Sequence, residues 1–254
     1  MVYAKKSLGQ NFLQSKGALR SIITAGKLSA DDTVLEIGPG KGALTEGLLA
    51  TGAKVIAVEK DRELISFLEE KFGANKNFTL IEGDILLMNT KDLKLKEYKL
   101  IANIPYYITG EIIRKFLEEK NQPKLMVLLV QKEVAERIVA RDGKESILSI
   151  AIRAYATPKF VAKVPRGAFV PAPNVDSAIV AFENISKDFF TKNKVSEKDF
   201  FTVVKTGFAH KRKKLSGNLK EISETLNKEF FESIKEKRAE ELSLEDWGNL
   251  LLKR

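Results

Sequence analysis

Short apolar runs alternate along the first half of the chain with amphipathic segments of helical spacing. The apolar runs predict strands over residues 34–37, 54–59, 78–81, 98–102 and 125–130. Helices are predicted between them, including one over 43–50 and one that Asp61 caps and that runs to about Phe72. Because neighbouring parallel strands need crossover helices, this alternation predicts an open, doubly wound α/β sheet of the Rossmann-like type.

The second half of the chain changes character. Further helix and strand segments are predicted over residues 147–155, 159–164 and 177–182, with a proline-rich loop over 164–173. After about Asn184 the chain is highly charged, lacks proline and carries helical patterns of apolar residues, among them Phe200, Phe208 and Leu219. We therefore predict two domains, an α/β domain over residues 1–185 and a small helical domain over 186–254.

Glycines and polar residues fall where the predicted strands end. A glycine-rich turn at 38–42 follows the first strand, Glu59 ends the second, Asp84 follows the third, and an Asn-Ile-Pro-Tyr sequence at 103–106 follows the fourth. Ligands of open α/β sheets bind beyond the carboxyl ends of the strands. The sequence therefore predicts one ligand-binding crevice at this edge of the sheet.

The glycine turn and two carboxylates indicate a ligand that contains a nucleoside. Glycines at 38, 40 and 42 let a ligand approach the backbone closely, although a simple tight turn would also use them. Glu59 lies 21 residues after Gly38, where an acidic side chain accepts hydrogen bonds from both ribose hydroxyls. Asp84 is placed to accept a hydrogen bond from an exocyclic amine such as adenine N6, or else to cap the following turn.

The sequence Asn103-Ile104-Pro105-Tyr106 predicts chemistry on such an amine. An adenine amine is a poor nucleophile because its lone pair is delocalised into the ring. If the Asn103 amide oxygen and the Ile104 carbonyl each accept one N6 hydrogen, the nitrogen becomes more tetrahedral and its lone pair points at an electrophile. Pro105 fixes the backbone so that the two acceptors converge, and Tyr106 offers a face for a flipped-out base. The alternative, a proline turn with an asparagine cap, is common in arbitrary sequences.

The amino-acid composition limits the kinds of functional site and partner that the chain can have. The 254 residues carry 43 Lys and Arg against 34 Asp and Glu, and the formal net charge of +9 makes nucleic acid the first partner to consider. The chain has no cysteine and one histidine, which excludes a disulfide framework and a cysteine nucleophile, and we predict no metal. We expect a cytoplasmic protein, because no apolar run approaches the roughly 18 residues of a membrane helix and no secretory signal follows the basic start. We also expect a monomer, because nothing in the sequence requires oligomerisation.

Basic residues cluster in the predicted helical domain and near the predicted crevice. Four of them follow His210 on a predicted helix, where they would contact the phosphates of structured RNA, although a solvated helix face is the alternative. These are Lys211, Arg212, Lys213 and Lys214. The basic residues expected on the rim of the crevice are Lys5, Lys6, Arg114 and Arg166.

Taken in order, these motifs resemble the S-adenosylmethionine-dependent ribosomal RNA adenine N6-dimethyltransferases. The matching segments are 6–13, 36–42, 82–84, 103–106, 131–134, 164–165, 169–178 and 211–214, which together span almost the whole chain. Within that family the chain is most similar to the housekeeping group that dimethylates two adjacent adenosines near the 3′ end of small-subunit rRNA. Segments 8–13, 131–134 and 174–178 favour this group over the antibiotic-resistance enzymes that act on large-subunit rRNA.

The resemblance implies S-adenosyl-L-methionine as the cofactor and indicates which residues hold it. Gln10, Asn11 and Leu13 would close over its methionine and ribose. Glu59 would hold the ribose hydroxyls, and Asp84 the adenine amine. The full set implied is Gln10, Asn11, Leu13, Gly38, Gly40, Glu59, Lys60, Asp84, Ile85 and Asn103.

The resemblance also implies how the target base is held. Asn103 would serve both the cofactor pocket and the target N6, and Phe169 would stack on the base opposite Tyr106. The catalytic set is thus Asn103, Ile104, Pro105, Tyr106 and Phe169. Tyr107 stands where many relatives have Asn, and we expect this departure to tune the packing of the base.

Domain roles and partners follow from the same resemblance. Residues 1–185 would form the S-adenosylmethionine-binding catalytic domain, and residues 186–254 would form a small helical RNA-binding domain. The substrate would be rRNA in an assembling 30S-type subunit, and the process would be ribosome biogenesis.

Two other classes of protein stay open. An NAD-dependent oxidoreductase would share the sheet and Glu59 but not the glycine spacing, and a non-catalytic RNA-binding assembly factor would keep the fold.

Overall fold

The computed structural model describes residues 4–5 and 8–252, and they form two compact units. One unit comprises the chain up to Ala135 together with Lys159–Ile185. The other comprises Glu136–Pro158 and the chain from Ser186 onward. The first unit contains the β-sheet, and the second is helical.

A sheet of seven strands organises the first unit. The strands of this unit are β1 (Phe12–Leu13), β2 (Thr33–Ile37), β3 (Lys54–Glu59), β4 (Phe78–Glu82), β5 (Lys99–Asn103), β6 (Leu125–Gln131), β7 (Thr157–Val164), β8 (Phe169–Val170) and β9 (Ser177–Glu183). The order in the large sheet is β4-β3-β2-β5-β6-β9-β7, with the first five strands parallel and β9 antiparallel to β6. The predicted Rossmann-like, doubly wound sheet is confirmed.

Helices connect the parallel strands, as the sequence pattern predicts. α2 (Ala43–Leu49), α3 (Arg62–Phe72) and α4 (Thr109–Glu118) lie between parallel strands, whereas α1 (Lys16–Gly26) precedes β2 and α5 (Lys132–Ile138) follows β6. Every residue of β6 except Gln131 is buried, as expected of a strand inside a sheet that is covered on both faces. The strand order reverses at β2, which lies between β3 and β5, and open sheets bind ligands at such a reversal.

Side-chain caps set the starts of two of these helices. α3 begins after Asp61, as predicted, because the Asp61 carboxylate accepts the backbone N–H of Glu63. α1 begins after Ser15, whose hydroxyl accepts the N–H of Ala18 at 3.3 Å. Such caps satisfy N–H groups that a first turn leaves unpaired. The cap of α3 also places the Asp61 carboxylate at the carboxyl end of β3.

A separate two-stranded ribbon connects the N-terminal segment, residues 8–14, to the proline-rich loop. β1 pairs antiparallel with β8, with Phe12 opposite Val170 and Leu13 opposite Phe169. The N–H of Gln14 extends the pairing by donating to the carbonyl of Ala168 at 2.8 Å. The residues that precede α1 are therefore held by a part of the chain more than 150 residues away.

Strand β7 forms one edge of the large sheet. Its residues alternate between exposed and half-buried positions as far as Val164, which is buried. Two exposed lysines on it form ion pairs, Lys159 with Glu183 at 2.5 Å and Lys163 with Asp176 at 2.8 Å. The edge strand is therefore charged along its exposed side.

The second unit is built from short helices. They are α6 (Ile147–Arg153), α7 (Asp188–Asn193), α8 (Glu197–Gly207), α9 (Leu215–Asn218), α10 (Lys228–Ile234) and α11 (Leu244–Leu251). Aromatic side chains fill its core, and the buried Trp247 stacks on Phe208 with ring centroids 5.6 Å apart. Within the described part of the chain, no helix is long and apolar enough to cross a bilayer.

The helical unit includes residues that the sequence-based boundary placed in the α/β domain. Residues 136–158 group with the C-terminal part, whereas we predicted that residues 1–185 form one domain. The reason lies in the packing of Tyr155. Its ring contacts those of Phe190 and Phe201, and its hydroxyl donates a hydrogen bond to Glu197. Such contacts join α6 to helices that lie far along the chain.

Candidate functional site

A cavity of about 450 Å³ opens at the carboxyl ends of the parallel strands, which is the size expected of a small-molecule site. Every residue of the predicted cofactor-binding set lines it, from Gln10 and Asn11 in the N-terminal segment to Asn103 at the end of β5. The Ile104-Pro105-Tyr106 sequence lines it as well. The structure therefore brings together the strand ends that the sequence singled out.

Two glycines of the turn after β2 have different structural roles. Gly38 has φ +64°, and nothing lies within 4 Å of the position that a Cβ would occupy, so its backbone faces open space in the cavity wall. Gly42 has φ +75°, and a Cβ there would lie 2.3 Å from the Phe72 ring. Gly38 thus leaves room for a ligand, whereas Gly42 lets the turn pack against α3.

Glu59 is a buried carboxylate held in a fixed orientation by backbone donors. Its Oε1 accepts the N–H groups of Lys60 at 2.8 Å and Asp61 at 2.9 Å, and its Oε2 accepts the N–H of Gly40 at 3.3 Å. Burial raises the pKa of Glu59, and the three hydrogen bonds oppose that shift. Since a carboxylate offers about four acceptor sites, capacity remains for a hydroxyl donor from the cavity.

Asp84 both caps a turn and lines the cavity, so the two roles weighed for it coexist. Its Oδ1 accepts the N–H of Leu86 at 3.0 Å, and its Oδ2 pairs with the Lys60 ammonium at 2.8 Å. The hydrogen bond from Lys60 lowers the pKa of Asp84 despite partial burial. The group is therefore an anionic acceptor at the end of β4.

Glu36 lies in the cavity wall, although no role was predicted for it. The residue is buried, its Oε2 accepts the Thr45 hydroxyl at 2.7 Å, and its Oε1 has no hydrogen-bond partner among the described residues. Burial raises the pKa of Glu36 to about 8, with the Thr45 hydrogen bond opposing the shift and nearby Glu59 adding to it. A signal was available, because Glu36 stands two positions before Gly38, the first glycine of the turn.

These acidic groups fit S-adenosylmethionine, a cationic nucleoside. The unpartnered Glu36 oxygen is a buried polar atom that a hydrogen-bonding group of a ligand would satisfy. Glu59 and Asp84 offer further acceptors along the same wall. Acceptor oxygens of this kind, next to a glycine that leaves open space, suit a ligand with hydroxyl, amine and sulfonium groups.

Asn103 connects the end of β5 to the N-terminal segment. Its side-chain Nδ2 donates to the backbone carbonyl of Asn11 at 3.3 Å. That hydrogen bond uses the donor side of the amide and leaves Oδ1 as an acceptor for a substrate amine. Half-buried Tyr106 lies three residues on, and its hydroxyl shares a hydrogen bond with Ser177 at 2.6 Å. The arrangement fits polarisation of an exocyclic amine beside an aromatic ring.

The placement of Phe169 differs from the predicted base-stacking role. Its side chain is only 2% exposed, it belongs to the hydrophobic core, and it is not among the residues that line the cavity. The physical reason is the β1–β8 ribbon, which pairs Phe169 with Leu13 and draws it inward.

Tyr107, which stands where many relatives have Asn, lines the cavity. Its ring lies about 3.2 Å from the position that a Cβ on Gly9 would occupy.

The basic residues predicted near the crevice have mixed environments. The Lys5 ammonium forms ion pairs with Asp61 at 2.7 Å and with Glu63 at 3.0 Å. Arg114 pairs with Glu118 at 2.9 Å, and Arg166 is exposed. Lys6 lies outside the described residues. RNA contacts by these side chains remain predictions.

The basic cluster 211–214 lies in a turn, and the prediction of a helix there is wrong. α8 ends at Gly207, where a Cβ would lie 2.3 Å from the Trp247 ring, and α9 starts at Leu215. All four basic residues between them are exposed. Lys214 pairs with Glu236 at 2.6 Å. Among residues 4–5 and 8–252, no group of three or more His, Cys, Asp or Glu side chains could hold a metal ion.

Comparison with known proteins assigns the family. Residues 1–252 match the family model "Ribosomal RNA adenine dimethylase". Proteins named "Ribosomal RNA small subunit methyltransferase A" from Dehalococcoides mccartyi (strain CBDB1) and Fusobacterium nucleatum are 45% and 40% identical, over 98% and 97% of this chain and 88% and 96% of theirs.

Solved structures agree with this assignment. A dimethyladenosine transferase from Plasmodium falciparum superimposes with a TM-score of 0.81 at 29% identity, covering 95% of this chain and 96% of that one. The 23S rRNA methyltransferase ErmE shares the fold, with a TM-score of 0.76 at 24% identity, over 95% of this chain and 98% of its own. The chain belongs to the ribosomal RNA adenine dimethylase family.

Proposed function

We propose that this protein dimethylates N6 of two adjacent adenosines near the 3′ end of small-subunit rRNA. It is an S-adenosylmethionine-dependent rRNA adenine methyltransferase, as its family membership establishes. The main support for the proposed chemistry is the orientation of the Asn103 side chain at the wall of the cofactor cavity. Its Nδ2 donates a hydrogen bond to the Asn11 carbonyl. The small-subunit substrate is supported by relatives up to 45% identical that carry this activity in their names.

The cavity residues would hold the cofactor at its polar groups. Glu59 would accept the ribose hydroxyls, Asp84 the adenine amine, and Gly38 would leave space for the backbone approach. Gln10, Asn11 and Leu13 would cover the ligand from the N-terminal segment. When bound, S-adenosylmethionine supplies an electrophilic methyl group on its sulfonium.

The chain's own residues would activate the amine without a strong base. The Asn103 amide oxygen and the Ile104 carbonyl would accept the two N6 hydrogens and turn the nitrogen lone pair toward the methyl group. Tyr106 would hold the base by its ring face. Once alkylated, the nitrogen is acidic and loses its proton to water, so positioning and electrostatics supply the catalysis.

The biological setting is part of the proposal. An assembling small subunit as the partner, a monomeric state and a cytoplasmic location are consistent with a basic chain in which no described helix can cross a membrane. Residues 211–214 would contact the RNA backbone from the helical unit, because they are exposed and carry four positive charges in a row.

A methyl-transfer assay tests the proposal directly. Labelled S-adenosylmethionine is supplied with undermethylated small subunits or, as the matched control, with large subunits, and the labelled nucleotides are mapped by mass spectrometry. We expect dimethyladenosine at two adjacent positions of small-subunit rRNA. Label on large-subunit rRNA would instead support the antibiotic-resistance branch, and no transfer to either would support an assembly factor without catalysis.

A further inference from the structure

We propose that Asp61 is a positioning residue that latches the N-terminal segment over the cofactor cavity and thereby sets the affinity for the cofactor. Asp61 is not among the residues that line the cavity, so it acts through Gln10, which is. The inference rests on the proposed function for the identity of the ligand.

The contacts of Asp61 form a closed set of hydrogen bonds. Its buried carboxylate accepts Lys5 Nζ at 2.7 Å on Oδ1 and Gln10 Nε2 at 2.9 Å on Oδ2. Gln10 Oε1 in turn accepts the backbone N–H of Lys5 at 2.8 Å. Burial alone would raise the pKa of Asp61, but the hydrogen bonds from Lys5 and Gln10 lower it, so the group is an anion. Hydrogen bonds to an anion are the strong ones.

Further contacts hold the residues of the N-terminal segment that follow Gln10. Asn11 is held through its carbonyl by Asn103 at 3.3 Å, and Phe12 and Leu13 are held by the ribbon with β8. Asp61 holds Gln10, which precedes these residues, through the hydrogen bond from Gln10 Nε2 at 2.9 Å. Without it, the backbone that leads into the cavity wall at Gln10 and Asn11 would lose its outer anchor.

The same residue also supports the carboxylate expected to hold the ribose. The backbone N–H of Asp61 donates to Glu59 Oε1 at 2.9 Å. One tight turn therefore holds Glu59 by its backbone and Gln10 by its side chain. A useful test must remove the side-chain link and leave both the backbone donor and the cap of α3 in place.

Asp61→Ser meets that requirement. Serine is a good N-cap and can still accept the Glu63 N–H, but it is too short to hold Gln10 and Lys5. Equilibrium dialysis with labelled S-adenosylmethionine, without RNA, measures the affinity of the full chain. Hydrogen exchange of residues 8–14 in the cofactor-free protein measures the closure of the segment.

We expect Asp61→Ser to weaken cofactor binding by about tenfold or more, because apparent affinity falls with the fraction of molecules in the competent state. Amides of residues 8–14 should exchange faster. The matched control is Glu63→Ala, which removes an exposed carboxylate beside Lys5 and leaves the Asp61 contacts intact, so both readouts should stay at the wild-type level. Lys5→Met, which spares the α3 cap, should shift both readouts in the same direction as Asp61→Ser but less.

Three results would overturn the latch. They are wild-type affinity in Asp61→Ser, faster exchange with no loss of affinity, and loss of affinity with unchanged exchange, which would assign the effect to Glu59. If Asp61→Ser does not fold, unchanged readouts in Lys5→Met would have the same force. Because no RNA is present, these outcomes are independent of whether small subunits are the substrate.

Discussion

The side-chain amide of Asn103 and the backbone carbonyl of Asn11 are joined by a hydrogen bond of 3.3 Å. This contact links the residue proposed to activate the target amine to the segment that covers the cofactor. It also fixes which end of the Asn103 amide is free. Substitutions around this pair should therefore separate catalysis from cofactor binding.

Asn103→Ala should reduce methyl transfer by about 100-fold or more, the usual loss when one pre-organised polar group is removed from a reacting centre. Cofactor affinity should fall by less than about tenfold, because Glu59 and Asp84 keep their own contacts. Single-turnover transfer at saturating cofactor, together with equilibrium dialysis, measures both. Full transfer activity in the variant would contradict the proposed mechanism.

Tyr106 should act through its ring rather than its hydroxyl. Tyr106→Phe removes only the hydrogen bond to Ser177, so transfer should stay within about threefold of wild type, while Tyr106→Ala should cost a stacking interaction of about 1–3 kcal/mol. KM for RNA and the transfer rate report the loss. Ser177→Ala is the control for the hydroxyl contact. Equal losses in the Phe and Ala variants would assign the role to the hydroxyl instead.

Glu36 should make stability depend on pH. Burial raises its pKa from 4.5 to about 8, so between these values the folded protein holds a proton that the unfolded chain has released. The free energy of unfolding therefore falls as the pH rises through this window, by at most about 1.4 kcal/mol per pH unit. Glu36→Gln removes the titrating group and should flatten that dependence.

Urea unfolding of the cofactor-free protein at several pH values between 5 and 8 measures this effect. Glu70→Gln, an exposed substitution on α3, is the control and should keep the wild-type slope. A Glu36→Gln variant with the same pH dependence as wild type would show that Glu36 does not titrate in the window.

The basic cluster should contribute to RNA affinity by neutralising phosphates. Replacing Lys211, Arg212 and Lys213 with Gln should weaken RNA binding and reduce the slope of log affinity against log salt by roughly 0.7 to 0.9 for each phosphate that is no longer neutralised. Titrations at several salt concentrations measure the slope. A triple variant with the same change in charge on exposed lysines of the first unit controls for net charge, and it uses Lys76, Lys91 and Lys96. Identical slopes in the two variants would leave the cluster without a specific role.

Sequence patterns predicted the features that depend on local chemistry. The strand Lys54–Glu59 and the Asp61 cap are found as predicted, since alternation, run length and a capping carboxylate are all local signals. The cavity followed from a rule about strand ends rather than from any single residue. Residues of the candidate site were thus predictable wherever a strand end carried them.

Features set by distant contacts were not predictable in this way. A two-residue strand such as β1 has no periodicity, and its pairing with β8 buries Phe169, which we expected to face the base. The grouping of residues 136–158 with the helical unit depends on contacts of Tyr155 far along the chain. The end of α8 was an exception, because glycine is unfavourable within a helix and Gly207 was therefore a local signal for the helix end, which the charge pattern obscured.

The charged edge strand β7 has a consequence for self-association. An exposed edge strand is a template for pairing with another chain, and lysines at such an edge oppose that pairing. If two copies paired along β7, Lys159 and Lys163 of one copy would approach the two corresponding lysines of the other copy. The pairing would also disturb the ion pairs with Glu183 and Asp176. Like charges placed opposite each other across strands are destabilising. This edge therefore protects the chain from sheet-to-sheet aggregation.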